Sequence, residues 1–373
     1  MVAQNRATIQ VAVLFLLVGF FADPGFSAEA KPGWDGVVAG ARREGRVVIY
    51  GSGGIDRVRL YKESFEAAFP GISVEYLPMG AGEVSARVMA ERRAGKYIPD
   101  ILLSGAGGST VIPLRNQGAL QRLDSALLLP EVLDKSKWFD SKILFMDNEA
   151  KYVLAYALTP GTIAAYNTHL VDPGELRSYK DLLDARWRGK ILSMDVRAGG
   201  GPGGGIIKFV YANPDLGPDY LRKLFGETQI TLARDLRQMV DWLGRGKFAF
   251  LLFSGLDVID KAREQGLPVD VLNLQQMKEG YPLTSGWNTI LLVNPSPHPN
   301  ASRVFINWLL SRDGQTAFEQ IMKIASLRVD TPSKSAVREF LIPKKENKYM
   351  VVSQEKYWHL DPEITALLSS VLK

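Results

Sequence analysis

Short runs of branched aliphatic residues, each stopping at a glycine turn before an amphipathic stretch, limit most strongly what this chain can fold into. Arg46-Val-Val-Ile-Tyr50 stops at Gly51-Ser-Gly-Gly54, and Asp100-Ile-Leu-Leu103 stops at Ser104-Gly-Ala-Gly-Gly108. Continuous apolar runs suit strands covered on both faces, and strands that alternate with helices belong to parallel α/β sheets. After the first glycine turn, Asp56 is placed to cap a helix whose apolar residues are Val58, Tyr61, Phe65, Ala68 and Phe69. Ile55 and Leu60 stand at staple positions around that cap. Pro70-Gly71 ends this helix, and Ile72, Val74 and Tyr76 then alternate as a second strand. A further helix is expected over Glu83–Ala94, closing on Gly95. Later strands are expected at Tyr152–Ala157, Ile163–Tyr166, Ile191–Met194, Phe248–Phe253, Val269–Leu272 and Ile290–Val293, with helices at Ile206–Ala212, Leu232–Leu243 and Ala301–Leu310. No internal repeat is visible. At 373 residues the chain suggests two domains.

The N-terminus differs in kind. Arg6 precedes the apolar run Val11–Ala22, which Asp23-Pro24-Gly25 breaks. The run is shorter than the roughly 20 apolar residues a membrane span needs, and Ala28-Glu29-Ala30 follows it as an A-x-A cleavage pattern. A signal peptide over residues 1–30 is therefore expected. Removing Arg6, Asp23 and Glu29 from 45 basic and 40 acidic residues leaves a mature charge of +6. A positive balance favours anionic partners at long range. The clusters at 41–46 and 90–96 mix acids with bases where helices should end, which reads as a solvated face, and no nucleic-acid motif accompanies them. The chain has no cysteine, which excludes a thiol nucleophile and a cysteine-borne lipid anchor.

The chemistry-bearing motifs are few. Gly51-Ser52-Gly53-Gly54 lacks the third glycine of a dinucleotide fingerprint, because Asp56 holds its place. What remains is a small-residue turn at a helix start, suited to a ligand oxygen. Gly199-Gly-Gly-Pro-Gly-Gly-Gly205 lacks the Lys-Ser/Thr pair of a phosphate loop, but with Arg197 beside it could form an anion nest. His169, His298 and His359 are not paired at metal-ligand spacing. Ser353-Gln-Glu-Lys356 matches S-x-x-K without its partner motifs, and no catalytic constellation emerges. No cofactor is expected.

Four stretches together resemble the bacterial extracellular solute-binding proteins of the ferric-iron-like branch. They are Trp34 to Gly51 with Phe65 to Glu75; Glu91 to Ser104 with Gly118-Ala-Leu120; Ala165-Tyr-Asn-Thr168 with Tyr179 to Leu183 and Trp187 to Ile191; and His298 to Ser311 with Gly314-Gln315. The resemblance implies a type II periplasmic binding fold, with two α/β lobes joined by hinge strands and a ligand cleft between them. It also implies a monomer that closes on its ligand and presents it to an ABC permease in the inner membrane. On this reading residues 31–157 plus 286–335 form one lobe and residues 158–285 plus 336–373 the other. The crossings fall near Leu158–Tyr166 and Pro282–Trp287. Ligands of open parallel sheets sit beyond the carboxyl ends of strands. This singles out Ser52, Gly53, Ser104, Gly105, Gly201 and Ser254, together with Tyr166, Arg197, Arg234 and Trp287. Arg197 and Arg234 suggest a small organic anion as the ligand. Iron-binding members carry adjacent tyrosines where this chain has Phe253 and Ser254, so the phenolate ligands are missing. Ferric iron is then the alternative cargo, and a secreted enzyme or sensory subunit on the same fold the alternative role.

Overall fold

The computed structural model describes residues 33–51, 53–196, 203–332 and 337–372. Two sheets are built on one plan. In the first, β1 (Arg46–Gly51) lies between β2 (Ser73–Pro78) and β3 (Ile101–Ser104), parallel to both. Beyond β3 runs β14 (Thr289–Val293) in the opposite direction, followed by β6 (Leu154–Ala155) and β5 (Leu144–Phe145), with β4 (Leu120–Gln121) also paired to β14. In the second, β9 (Ile191–Met194) lies between β10 (Thr231–Ala233) and β11 (Phe250–Leu252), again parallel to both. Beyond β11 runs β8 (Ala164–Asn167) in the opposite direction, then β12 (Val269–Val271). In each sheet the reversed strand is the one that enters from the other lobe.

The strands are buried because helices cover them, as their unbroken apolar character requires. Phe65 packs edge-on against Phe305 and Trp308 in the first lobe, at 5.1 and 5.2 Å between ring centres. In the second lobe Ile191, Phe209, Leu224 and Phe250 share a core with Leu367 and Leu368 of the C-terminal helix Leu360–Val371.

Between the two sheets lies a third, small one. β7 (Thr159–Pro160) pairs antiparallel with β13 (Tyr281–Thr284), and β15 (Tyr349–Val351) runs parallel to β13. The two crossing segments are thus hydrogen-bonded to each other. Helix Gly203–Ala212 packs closely on this junction: a Cβ on Gly205 would sit 2.9 Å from Thr284 Cγ2.

Several local expectations are corrected. The helix after β1 starts at Ile55 with Gly54 as its cap; Asp56 makes no side-chain cap and Ile55 is exposed, so there is no staple. That helix widens into a π turn over Leu60–Phe65 before ending at Ala68, an exposed residue. The helix expected at Leu232 begins instead at Leu236, where the Asp235 carboxylate accepts the Gln238 N–H at 3.0 Å. Thr231–Ala233 is drawn into the sheet beside β9, a tertiary pairing that overrides the helical pattern. Of the run Tyr152–Ala157 only Leu154–Ala155 is a strand. Strand Ile191–Met194 falls where the pattern places it. Arg42, Arg43, Arg92 and Arg93 occupy last turns of helices, as the charge clusters suggested.

Candidate functional site

A cavity of about 210 Å³ opens between the two main sheets, walled by the crossing segments Thr159–Thr162 and Thr284–Asn288. Ile206 and Leu256 close it from the second lobe and Arg57 from the first. Arg57 is only 3% exposed. Its Nη1 donates to Tyr156 Oη at 3.0 Å and to Tyr61 Oη at 3.4 Å, while its Nη2 donates to Asn288 Oδ1 at 2.9 Å. The two phenol oxygens are 3.2 Å apart. Burial pushes the Tyr156 phenol well above its ordinary pKa, so it stays neutral. No carboxylate pairs with this guanidinium among the described residues, and its Nε is buried without a partner. A buried charge held only by neutral groups is costly to keep, so its retention calls for an explanation.

The local sequence accounts for the placement of Arg57. It lies four residues before Tyr61 and eight before Phe65, on the buried stripe of its helix. Gly53 has φ +130, and a Cβ there would sit 2.6 Å from Arg57 Cδ. Only glycine lets the arginine stem fold against the turn.

Trp287 is 49% exposed at the cavity mouth, an unusual setting for so large an apolar ring. Gly105, past the end of β3, backs it: a Cβ there would lie 3.4 Å from the Gly286 carbonyl and 3.9 Å from Trp287 Cδ1. Ser104 is fully buried; its carbonyl accepts the Thr289 hydroxyl, and its own Oγ is buried with no partner. Phe253 adopts a left-handed backbone, φ 61, and its ring stacks with Phe225 at 6.3 Å inside the second lobe. This turn carries Gly255 and Leu256 to the cavity and leaves Ser254 2% exposed. Where the resemblance would place two phenolates for iron, one ring is therefore sunk in the core. Among the described residues no three His, Cys, Asp or Glu side chains cluster as a metal site would need.

Of the residues singled out from the sequence, Trp287 lines the cavity, while Gly53 and Gly105 support it from behind. Ser104 and Ser254 lie buried at strand ends beside it. Tyr166 is elsewhere, in the second-lobe core opposite Phe250 and Asp270. Arg234 is also outside the lining; its side chain is 81% exposed and bound through Nε and Nη2 to Asp195 Oδ2 at 3.1 and 2.9 Å. Ser52, Arg197 and Gly201 lie outside the described residues. Arg57, Tyr156 and Asn288 were not singled out. A basic residue on an apolar helical stripe was the available signal for Arg57.

Two lobes of repeated topology, joined by paired crossing strands around a cavity, define a binding protein of the type II periplasmic kind. The chain belongs to the bacterial extracellular solute-binding protein family, whose model matches residues 61–331. Such proteins bind small molecules outside the cytoplasmic membrane and deliver them to an ABC permease, a transport role and not an enzyme class. No curated protein sequence matches the chain. Iron-bound HitA from Pseudomonas aeruginosa has a similar structure, with TM-score 0.64 at 18% identity, over 87% of this chain and 99% of that one. The ferric binding protein from Campylobacter jejuni scores 0.65 at 17% identity, over 87% and 99%. AfuA from Actinobacillus pleuropneumoniae, with exogenous fructose-6-phosphate bound, scores 0.61 at 17% identity, over 88% and 98%. At such identities the likeness is one of fold. Among the described residues no helix is long and apolar enough to cross a membrane.

Proposed function

We propose that this protein captures a small organic anion between its lobes and delivers it to an ABC permease, with Arg57 as the anchor for the anion's charge. The carrying observation is a guanidinium buried in the cavity wall with no acidic partner among the described residues. A ligand anion would supply the missing countercharge, and charged hydrogen bonds of this kind contribute about 1.5–3 kcal/mol. The mature charge of +6 supports the same sign. The lobes are taken as residues 31–157 plus 286–335 and residues 158–285 plus 336–373, acting as a monomer that closes about the crossings. Export follows cleavage after Ala30.

The test uses protein recovered from the periplasm, with a mass corresponding to a chain that begins at Lys31, and stripped of ligand. A calorimetric panel of organic anions, ferric citrate and polyamines should give binding by an anion. Small-angle scattering should then show a smaller radius of gyration. Tight binding of a polyamine or of iron, with the organic anions inert, would overturn the reading.

A further inference from the structure

The cavity constrains the rest of the ligand as well as its charge. Among the described residues that line it, Arg57 is the one ionisable side chain. Apolar surface comes from Pro160, Ile206, Leu256, Trp287 and Ile324. The neutral polar groups are three threonines and Asn288, whose carbonyl oxygen is already taken by Arg57. Against the side chains of these described residues, a hydroxyl-rich ligand would leave most of its hydrogen-bonding groups unpaired, which costs affinity for each one buried. A bare metal ion would meet no anionic side chain in this lining. At about 210 Å³ the space falls below the roughly 300–1,000 Å³ usual for larger ligands.

The Arg57 guanidinium is held in a definite place. Both Nη1 contacts are with phenols and Nη2 donates to Asn288, while Nε is buried against the Gly53 turn. A guanidinium held at the cavity wall by neutral partners suits a carboxylate, which pairs with it through charge-assisted hydrogen bonds. Trp287, half-exposed at the mouth, offers an indole face to the body attached to that carboxylate.

We infer that the ligand is a small monocarboxylate with an apolar or aromatic body. Its carboxylate meets the Arg57 guanidinium at the cavity wall, and its body lies between Trp287 and the Ile206–Leu256 wall. This rests on the reading of Arg57 as the anion anchor.

The probes are benzoate, 4-methylpentanoate, acetate, benzamide and glucose 6-phosphate, titrated calorimetrically into the ligand-stripped mature protein. Benzoate or 4-methylpentanoate should bind at least tenfold tighter than glucose 6-phosphate, and benzamide at least a hundredfold more weakly than benzoate. Trp287→Ala should weaken benzoate about tenfold and leave acetate within twofold, with Trp287→Phe restoring most of the loss. If glucose 6-phosphate outbinds both apolar acids, the anion anchor stands and this inference fails. If benzamide matches benzoate, or no anion binds, both readings fail. Equal weakening of acetate and benzoate by Trp287→Ala would remove the stacking role, and with it the assignment of an apolar body.

Discussion

Among the described residues two arginines are buried, and they are kept in opposite ways. Arg328 is 1% exposed, and its Nε and Nη2 grip the two oxygens of Asp330 at 2.9 Å each. Its Nη1 reaches the Leu310 carbonyl at 3.1 Å, Glu131 lies 3.3 Å away, and its guanidinium stands 5.6 Å from the centre of the Trp138 ring. The side edge of that guanidinium is fully used. Arg57 is buried to a similar depth, yet its partners are two phenols and an amide, and no carboxylate pairs with it among the described residues. Burial alone therefore does not distinguish the two arginines. Whether the countercharge is already inside the protein does.

The largest expected effect breaks the comparison on stability. Arg328→Met strands two carboxylates and a carbonyl, and should lower the unfolding free energy by about 3 kcal/mol in a urea titration. Arg57→Met removes an uncompensated charge but leaves the Asn288 carbonyl without its donor, and should cost less than Arg328→Met, about 1 kcal/mol. Binding should respond the other way. Arg57→Met should weaken whichever anion the protein binds by roughly a hundredfold, from the loss of two charged hydrogen bonds. Arg328→Met, assayed well below its melting temperature, should bind normally. A large loss of stability in Arg57→Met with little loss of binding would make both arginines structural.

The smallest effect is in pH. The hydrogen bond from Arg328 holds the Asp330 carboxyl below the usual carboxylate range. A depressed pKa gives stability that is present above the unfolded value of about 3.9 and is lost as pH falls through the folded value. The gap in melting temperature between wild type and Arg328→Met should therefore narrow below about pH 4. The gap between wild type and Arg57→Met should stay flat there, because burial keeps Tyr156 protonated and neutral. A gap for Arg328→Met that does not change with acid would remove the ion pair from the account of its stability.

Local pattern carried much of the fold. The glycine-terminated apolar run at 46–50 and the largely apolar run at 191–194 are the central members of the parallel strand trios in the two sheets, because a strand buried on both faces needs an apolar run whatever its neighbours are. The crossings expected near Leu158–Tyr166 and Pro282–Trp287 contain the paired strands β7 and β13. Boundaries such as Leu232 against Leu236 were less legible, since pairing to β9 competes there with helical spacing.

The site divides along the same line. Composition, periodicity and family resemblance pointed to the strand ends and brought Trp287, which lines the cavity, and Gly53 and Gly105 behind it into view. They could not rank the arginines. Arg234, beside a strand end in sequence, proves to be exposed and matched by Asp195 across 39 residues. Arg57, unremarked in its helix, meets Tyr156 across 99 residues and Asn288 across 231. Periodicity reports how a side chain faces along its own element. A buried charge can find its countercharge two residues away, as Arg328 does in Asp330, or be left with neutral partners brought from far along the chain, as Arg57 is, and only the tertiary structure settles which.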